Sequence, residues 1–206
     1  MEEARDTIRF LQTQNRDLQA DNRALHEEVI GLRRILGILL TLQEMATAVN
    51  ERTDVLNLLD RILASALESI DAQDGSLLLL DDETQELVFV VVHGEVRNEL
   101  AGFRIPVGQG IAGWVAERAE PVRVADVSLD PRFTGSVDNE FDFRTRSMLC
   151  VPMVVGDRVM GVIQALNKQG GEAFAEIELT LLGIVAQLAA VALHRAETAV
   201  LAEPAT

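Results

Sequence analysis

Residues 105–115 read IPVGQGIAGWV, an apolar start followed by three closely spaced glycines. The apolar residues at its start, with the residue before them, predict a short strand over 104–107. Gly108, Gly110 and Gly113 follow closely, and glycines allow the backbone to turn where other residues would be strained. We therefore predict a strand that bends into a short helix, whose first backbone N–H groups are left free.

The sequence on both sides of this stretch alternates short apolar runs with polar turns. Extended segments are predicted over 77–80, 87–93, 121–124, 147–155 and 159–167, and helices over 54–70 and 174–195. A long polar loop is expected over 126–146. Helices at both ends with about six strands between them indicate an α+β fold, in which a central antiparallel sheet is flanked by helices.

The N-terminal region carries a seven-residue apolar repeat. The d positions are Leu11, Leu18, Leu25, Leu32 and Leu39, and the a positions are Ile8, Asn15, Asn22, Val29 and Leu36. A strict heptad repeat predicts a left-handed coiled coil, and asparagine at a positions favours two parallel strands. The alternative is an amphipathic helix lying on its own domain, but that gives no reason for two asparagines in the seam. We predict a parallel dimeric coiled coil over 1–41, one domain over 42–197 and a disordered tail over 198–206.

Composition limits the class of protein. The formal net charge is −15, of which −2 belongs to the first 47 residues and −13 to the remainder. Such a negative charge disfavours nucleic acid and anionic membranes as partners. No apolar run reaches the ~18 residues that cross a bilayer, so we expect no membrane insertion. The first residues lack the features of a secretory signal, and the single cysteine fits a reducing compartment. We expect a cytoplasmic protein.

Several segments, in order, resemble the GAF domain family over about residues 42–195. They are Ile105 to Val115, Val124-Ala125-Asp126, Asp130-Pro131-Arg132-Phe133, Ser147 to Pro152 and Gly161 to Lys168. The resemblance is greatest to the GAF domains of cyclic-nucleotide phosphodiesterases and related adenylyl cyclases. Their Asn-Lys…Phe…Asp-Glu signature, similar to a structural lock, is met by Asn167, Lys168 and Phe174, whereas Glu178 and Leu179 replace its last two residues.

The resemblance implies a GAF fold and a ligand cavity on one face of the sheet. It points to seven ligand-binding residues: Phe103, Ile111, Ala112, Asp126, Asp130, Arg132 and Phe133. A helix start after Gly110 suits an anion such as a cyclic phosphate, Arg132 could neutralise that phosphate, and Phe133 could stack on a base. The alternatives are structural: a glycine turn required by backbone geometry, and a turn at Asp130.

Three further residues have more ordinary interpretations. We expect Lys168, the only lysine, to form a structural ion pair with Glu178, and His93 to be an ordinary residue at a strand end rather than a haem ligand. We expect Cys150 to pack as a small apolar side chain with a raised pKa. GAF domains that reduce methionine sulfoxide use several cysteines, and those that carry bilins need an attachment cysteine. Both chemistries, and haem binding, are therefore disfavoured.

The sequence leaves two hypotheses for the function of the protein. No phosphate-binding loop, nucleophile elbow or metal-ligand spacing is present, so we expect no enzyme activity. The first hypothesis is a stand-alone dimeric sensor that binds a small ligand, such as a cyclic nucleotide, and signals through its coiled coil to a separate protein partner. The second is a ligand-free scaffold that dimerises and docks a partner.

Overall fold

The computed structural model describes residues 14–16, 18–19, 21, 55–94 and 97–202. The chain divides into two units, Met1–Leu40 and Thr41–Thr206. In the first unit the described residues are helical and exposed, including Asn15 and Leu18 of the predicted seam. The other seam residues, Ile8, Leu11, Asn22, Leu25, Val29, Leu32, Leu36 and Leu39, lie outside the described residues, so the coiled coil stays a prediction.

The second unit contains a six-stranded antiparallel sheet and five described α-helices. The strands are β1 (Ala72–Asp81), β2 (Glu86–His93), β3 (Arg104–Pro106), β4 (Val122–Val124), β5 (Met148–Val155) and β6 (Arg158–Lys168). The helices are α1 (Val55–Ser69), α2 (Arg97–Leu100), α3 (Gly110–Arg118), α4 (Ser136–Glu140) and α5 (Glu176–Ala202), and 3₁₀ turns occupy Val127–Leu129 and Gln169–Gly171. The strand order is β3-β2-β1-β6-β5-β4. The predicted α+β class and antiparallel sheet are confirmed.

The two faces of the sheet are covered differently. Alternate residues of a strand point to opposite faces, so Leu78 and Val162 lie on one face, where they join the core formed with helix α3. Gly75 belongs to the opposite face, where it lies against Leu67 of helix α1. Helix α5 packs on β5 and on α1. The long terminal helices thus share one layer, and the glycine-rich helix lies on the other side of the sheet.

Helix α5 is unusually apolar. The segment Glu176–Ala199 contains an 18-residue stretch with a mean hydropathy of 1.8, which is long and apolar enough, by length and composition, to cross a membrane, yet half of that stretch is buried inside the domain. Buried residues such as Leu182, Ala186 and Ala189 recur at helical spacing on the side that faces the sheet. The apolar character of α5 is therefore accounted for by its place in the core.

Two predictions of local structure need correction. The predicted disordered tail begins too early, because α5 continues to Ala202, and residues 203–206 lie outside the described residues. The region 126–146, predicted as an uninterrupted loop, contains a 3₁₀ turn and helix α4. Helix α4 has only five residues, too few to produce a recognisable helical period.

Gly161 is required where the two central strands meet. It lies on β6 opposite Leu79 of β1, and a Cβ atom at this position would overlap the carbonyl oxygen of Leu78. That oxygen belongs to the backbone of the central sheet and cannot move without disturbing strand pairing. A side chain at position 161 is therefore excluded by the sheet itself.

We predict that Gly161→Ala lowers the free energy of unfolding by roughly 3 kcal/mol or more, because backbone atoms must separate to admit the methyl group. Gly156 is the matched control. It has a positive φ of 61° in the β5–β6 turn with open space around it, so Gly156→Ala should cost only about 1 kcal/mol. Denaturant unfolding of the three proteins measures both values. Equal losses would show that the contact with Leu78 is not the cause.

Candidate ligand-binding cavity

An open cavity, whose empty space together with the solvent at its mouth amounts to about 790 Å³, lies on the α3 side of the sheet. Its floor is formed by strands β1, β2, β5 and β6, and its walls by helices α3 and α4 with the segments next to them. The sheet face used is the one left uncovered by α1 and α5, so the position of the cavity follows from the two-sided packing.

The start of helix α3 forms one end of the cavity. Gln109, Gly110, Ile111 and Ala112 all line it. Gln109 precedes the helix but makes no side-chain capping hydrogen bond, and among the described contacts no other side chain accepts from the first N–H groups of α3. Gly113 explains why the helix can lie so close to the strand before it, because a Cβ atom there would come within 2.7 Å of the Pro106 carbonyl oxygen. This end of the cavity offers backbone N–H donors and a positive helix end to an anionic group.

Aromatic side chains cover the cavity. Phe89, Phe133 and Phe141 line it. Phe103 lies behind them, edge-on to Phe141 with ring centroids 5.2 Å apart and 6.4 Å from the Phe89 ring centroid. These faces suit a flat, apolar part of a ligand.

Two hydrogen-bonded pairs give the cavity its polar positions. On the floor, the Ser76 hydroxyl donates to the Gln164 side-chain oxygen at 2.9 Å, and both residues are buried. On the wall, the Asp138 carboxylate accepts from the Thr145 backbone N–H and from its hydroxyl, each at 2.7 Å. Because each polar side chain is held by another, these groups present defined hydrogen-bonding positions to the cavity.

The seven residues predicted to bind a ligand fall into three groups. Ile111, Ala112 and Phe133 line the cavity. Phe103 lies one layer behind the lining, against Phe89 and Phe141. Asp126 lies outside the lining, where its carboxylate accepts from the Ser128 N–H and hydroxyl at the start of a 3₁₀ turn. These two hydrogen bonds lower the pKa of Asp126 below its ordinary value. Its role in this structure is to hold a turn.

Asp130 and Arg132 also lie outside the lining, for a reason that sequence alone does not reveal. The Arg132 guanidinium donates to both oxygens of the Asp130 carboxylate, at 2.9 and 2.7 Å, and lies 4.5 Å from the Trp114 ring centroid. The hydrogen bonds from the Arg132 guanidinium lower the pKa of Asp130 below its ordinary value. The cation expected to meet a phosphate is thus committed to a neighbouring carboxylate and an aromatic face. The pair holds the segment that delivers Phe133 to the cavity.

Several lining residues were not predicted as site residues, among them Ser76, Gln164, Asp138 and Thr145. Gln164 is a polar residue inside the strand predicted over 159–167, and Ser76 directly precedes the strand predicted over 77–80, so a signal was available. Asp138 and Thr145 lie in the region taken as a loop. Their pairing across seven residues depends on the turn after helix α4 and has no sequence period.

The predicted ion pair of Lys168 is confirmed. Its ammonium nitrogen lies 2.6 Å from one Glu178 oxygen and 2.8 Å from the other, and the Glu178 side chain is only 3% exposed. The same carboxylate accepts from the Ala175 backbone N–H at 2.8 Å, next to the buried Phe174. Glutamate at position 178 therefore forms the contact even though aspartate stands there in the signature.

Cys150 and His93 have the ordinary environments that were expected of them. Cys150 is fully buried in β5, and burial raises the pKa of its thiol to about 12, so it is not a reactive thiolate at neutral pH. His93 ends β2, and its Nε2 lies 3.0 Å from an Asp60 oxygen of α1, close enough for an ion pair although not aligned as a hydrogen bond. Among the described residues, no group of three or more His, Cys, Asp or Glu side chains could hold a metal ion.

The model of the GAF domain matches residues 54–193 of the chain. The chain belongs to the GAF domain family. This match includes every strand of the described sheet and all the residues that line the cavity. In the described GAF domain, hydrogen-bonding and aromatic side chains surround the cavity. No cluster of described side chains could form a metal centre.

Relatives by sequence include phosphodiesterases. The chain is 27% identical over 188 residues to the "probable 3′,5′-cyclic phosphodiesterase pde-5" of Caenorhabditis elegans, which covers 86% of this chain and 25% of that protein. It is 40% identical over 96 residues to the "dual 3′,5′-cyclic-AMP and -GMP phosphodiesterase 11" of Drosophila melanogaster, covering 46% of this chain and 6% of the relative. The chain thus spans at most about a quarter of either of these relatives.

Solved structures show the same fold. The GAF domain of a phosphoenolpyruvate-protein phosphotransferase from Coxiella burnetii is 24% identical, with a TM-score of 0.68 over 79% of this chain and 96% of that one. The free methionine-R-sulfoxide reductase of Neisseria meningitidis is 22% identical, with a TM-score of 0.67 over 82% and 93% of the two chains. At such identities the likeness concerns the fold.

We predict that Lys168→Met destabilises the domain by about 3–5 kcal/mol, because it leaves the Glu178 carboxylate buried without its cation. The double variant Lys168→Met with Glu178→Leu removes both charges and should recover most of that loss. Arg158→Met is a matched control, since it breaks exposed ion pairs with Asp82 and Glu197 and should cost about 1 kcal/mol or less. Denaturant unfolding measures all three. A double variant no more stable than Lys168→Met would contradict this account.

Proposed function

We propose that this GAF domain is a regulatory sensor that binds a small ligand of the cyclic-nucleotide class in the cavity between its sheet and helices α3 and α4. The observation that carries the proposal is the division of the cavity into two chemically different ends. Uncapped backbone N–H groups of α3 lie at one end, and hydrogen-bonding side chains with aromatic faces line the remainder. A ligand with a singly charged anionic group and a flat heterocycle matches both.

Charge supports a weakly anionic ligand. None of the described lining residues is Lys or Arg, and Arg132 is held by Asp130 and Trp114. A cyclic phosphate carries one negative charge, which the start of α3 can stabilise without a cation. A ligand with several phosphate charges would face Asp74 and Asp138 with no lining cation to offset them. The phosphodiesterase relatives, named for cyclic nucleotides, support the same class.

We predict that cyclic AMP or cyclic GMP raises the melting temperature by roughly 5–10 °C at about 100 times its dissociation constant. Ala112→Leu should abolish the shift, because it places three further carbons at the anion-binding end of the cavity. Ala116→Leu is the control: it lies one turn further along α3, is similarly buried, and does not line the cavity. Both variants overpack the core, so only the loss of the ligand shift distinguishes them.

If the parent protein shows no shift with either nucleotide, the cyclic-nucleotide proposal fails, and the ligand-free scaffold becomes the better account. If Ala112→Leu and Ala116→Leu lose the shift equally, the ligand binds elsewhere or the loss reflects unfolding. Isothermal titration of the parent and both variants separates these two causes.

We further propose that the protein acts as a homodimer that passes its signal to a separate protein partner. The heptad repeat with its two asparagines supports two parallel N-terminal helices. A second feature supports pairing in the GAF domain: Ile177, Ile184 and Val191 of α5 are 58%, 45% and 37% exposed and recur every seven residues. Such a stripe on an otherwise packed helix favours a helical partner.

Sedimentation tests the dimer. We predict that the parent chain sediments as a dimer and that the double variant Asn15→Leu with Asn22→Leu forms larger species, because leucine at these positions removes the preference for two strands. Asn139→Leu, on the exposed surface of helix α4, is the control and should remain dimeric. A monomeric parent would show that the assigned seam is wrong.

A further inference from the structure

Along one side of the cavity, a series of polar groups linked by hydrogen bonds, adjoining backbone and close packing reaches helix α1. It begins at Asp138, whose carboxylate is held by the Thr145 N–H and hydroxyl, and both residues line the cavity. It ends at His93, a lining residue whose Nε2 lies 3.0 Å from Asp60 of α1. Between these two points are Asn167 and Asp74. We refer to Thr145, Asn167, Asp74 and His93, with their partners Asp138 and Asp60, as the polar wall.

Asn167 is the central member of the polar wall. Its side-chain oxygen accepts from the Arg146 backbone N–H at 2.8 Å, and its amide nitrogen donates to the Arg144 carbonyl at 3.1 Å. Arg144 and Arg146 are the two neighbours of Thr145, so Asn167 holds the backbone on both sides of that cavity-lining residue. Asn167 is 4% exposed and has a positive φ of 55°, a conformation that asparagine tolerates better than most residues.

Asp74 continues the polar wall towards α1. The Asn167 amide nitrogen also donates to one Asp74 oxygen, at 3.2 Å, and Asp74 is buried. The other Asp74 oxygen lies against Gly94, where an added Cβ atom would overlap it. Gly94 directly follows His93, so the Asp74 carboxylate packs against the end of β2 at the point where His93 meets α1. A displacement of Asp74 towards Gly94 would press on the residue that directly follows His93.

We propose that the polar wall transmits the occupancy of the cavity to helix α1. The inference rests on the proposed function, since it needs a cavity that is filled and emptied. A ligand that hydrogen-bonds to Asp138 or Thr145 changes the position of the 138–146 segment. Asn167 is hydrogen-bonded to that segment, so it then shifts Asp74. The shift of Asp74 alters the contact between His93 and Asp60. Thr145, Asn167 and Asp74 are buried, and hydrogen bonds, the adjoining backbone and the packing of Asp74 on Gly94 connect them to Asp138 and His93. Such a series of packed and hydrogen-bonded groups can carry coupling between distant parts of a domain. Helix α1 is the first helix of the GAF domain, so the signal reaches the N-terminal side of the domain.

The experiment needs no ligand. Thr145→Val keeps the side-chain shape and removes the hydroxyl that donates to Asp138. Hydrogen–deuterium exchange should then become about threefold faster or more at the α1 amides around Asp60, at sites that exchange by local opening. Thr134→Val is the matched control, because Thr134 also lines the cavity and its hydroxyl is bonded only to Ser136 among the described contacts. Thr134→Val should leave α1 exchange unchanged, and Thr145→Ser, which retains the hydroxyl, should behave as the parent.

The route is tested by a second change. His93→Phe keeps a ring but removes the nitrogen that contacts Asp60, so adding Thr145→Val to it should produce no further increase in α1 exchange. Asp138→Asn weakens the same link from its other side and replaces Thr145→Val if that variant does not fold. Unchanged α1 exchange in Thr145→Val and Asp138→Asn, equal effects of Thr134→Val and Thr145→Val, or additive effects with His93→Phe would each overturn the proposal. A failed nucleotide titration with positive exchange results would reject the ligand class and leave the polar wall intact.

Discussion

The buried ion pair between Lys168 and Glu178 joins the longest helix of the GAF domain to a central strand of its sheet. Burying two charges is costly, and pairing in a protein interior often only offsets that cost. Here the Glu178 carboxylate also accepts from the Ala175 N–H, so the first turn of α5 is held by the same group. The pair therefore fixes where α5 begins relative to β6. With α5 and α1 placed on one face, the opposite face is left for α3 and the cavity.

The same end of β6 serves both faces of the sheet. Lys168 reaches the terminal helix, whereas its neighbour Asn167 reaches the segment that walls the cavity. Asn167 can do this because its positive φ turns its side chain out of the regular strand pattern. Two adjacent residues thus connect the helical layer and the cavity to one strand. A domain that reports on its cavity requires such a connection between ligand-facing and helix-facing parts.

Much of the fold could be predicted because its signals are local. The strands 87–93 and 159–167 and the helix at 54–70 appear in the structure within a few residues of their predicted bounds, since apolar alternation and glycine turns act over short distances. Helix α4 and the last turns of α5 were missed, because one is very short and the other runs through Ala, Glu and Thr residues with no stop signal. The cavity was predicted only in part. Ile111, Ala112 and Phe133 line it, whereas Arg132 does not.

The fold class, the family resemblance, the pairing of Lys168 with Glu178 and the burial of Cys150 could all be predicted from the amino-acid sequence. Each of these depends on residue type and near neighbours along the chain. The electrostatics of the cavity could not be predicted in this way, because a charge acts according to what lies beside it in space. Arg132 meets Asp130 and Trp114 instead of the cavity, while Asp138 and Thr145 are brought to its wall by a turn that no sequence period announces. The polar connection to α1 spans residues from 60 to 167 and exists only once the sheet has formed.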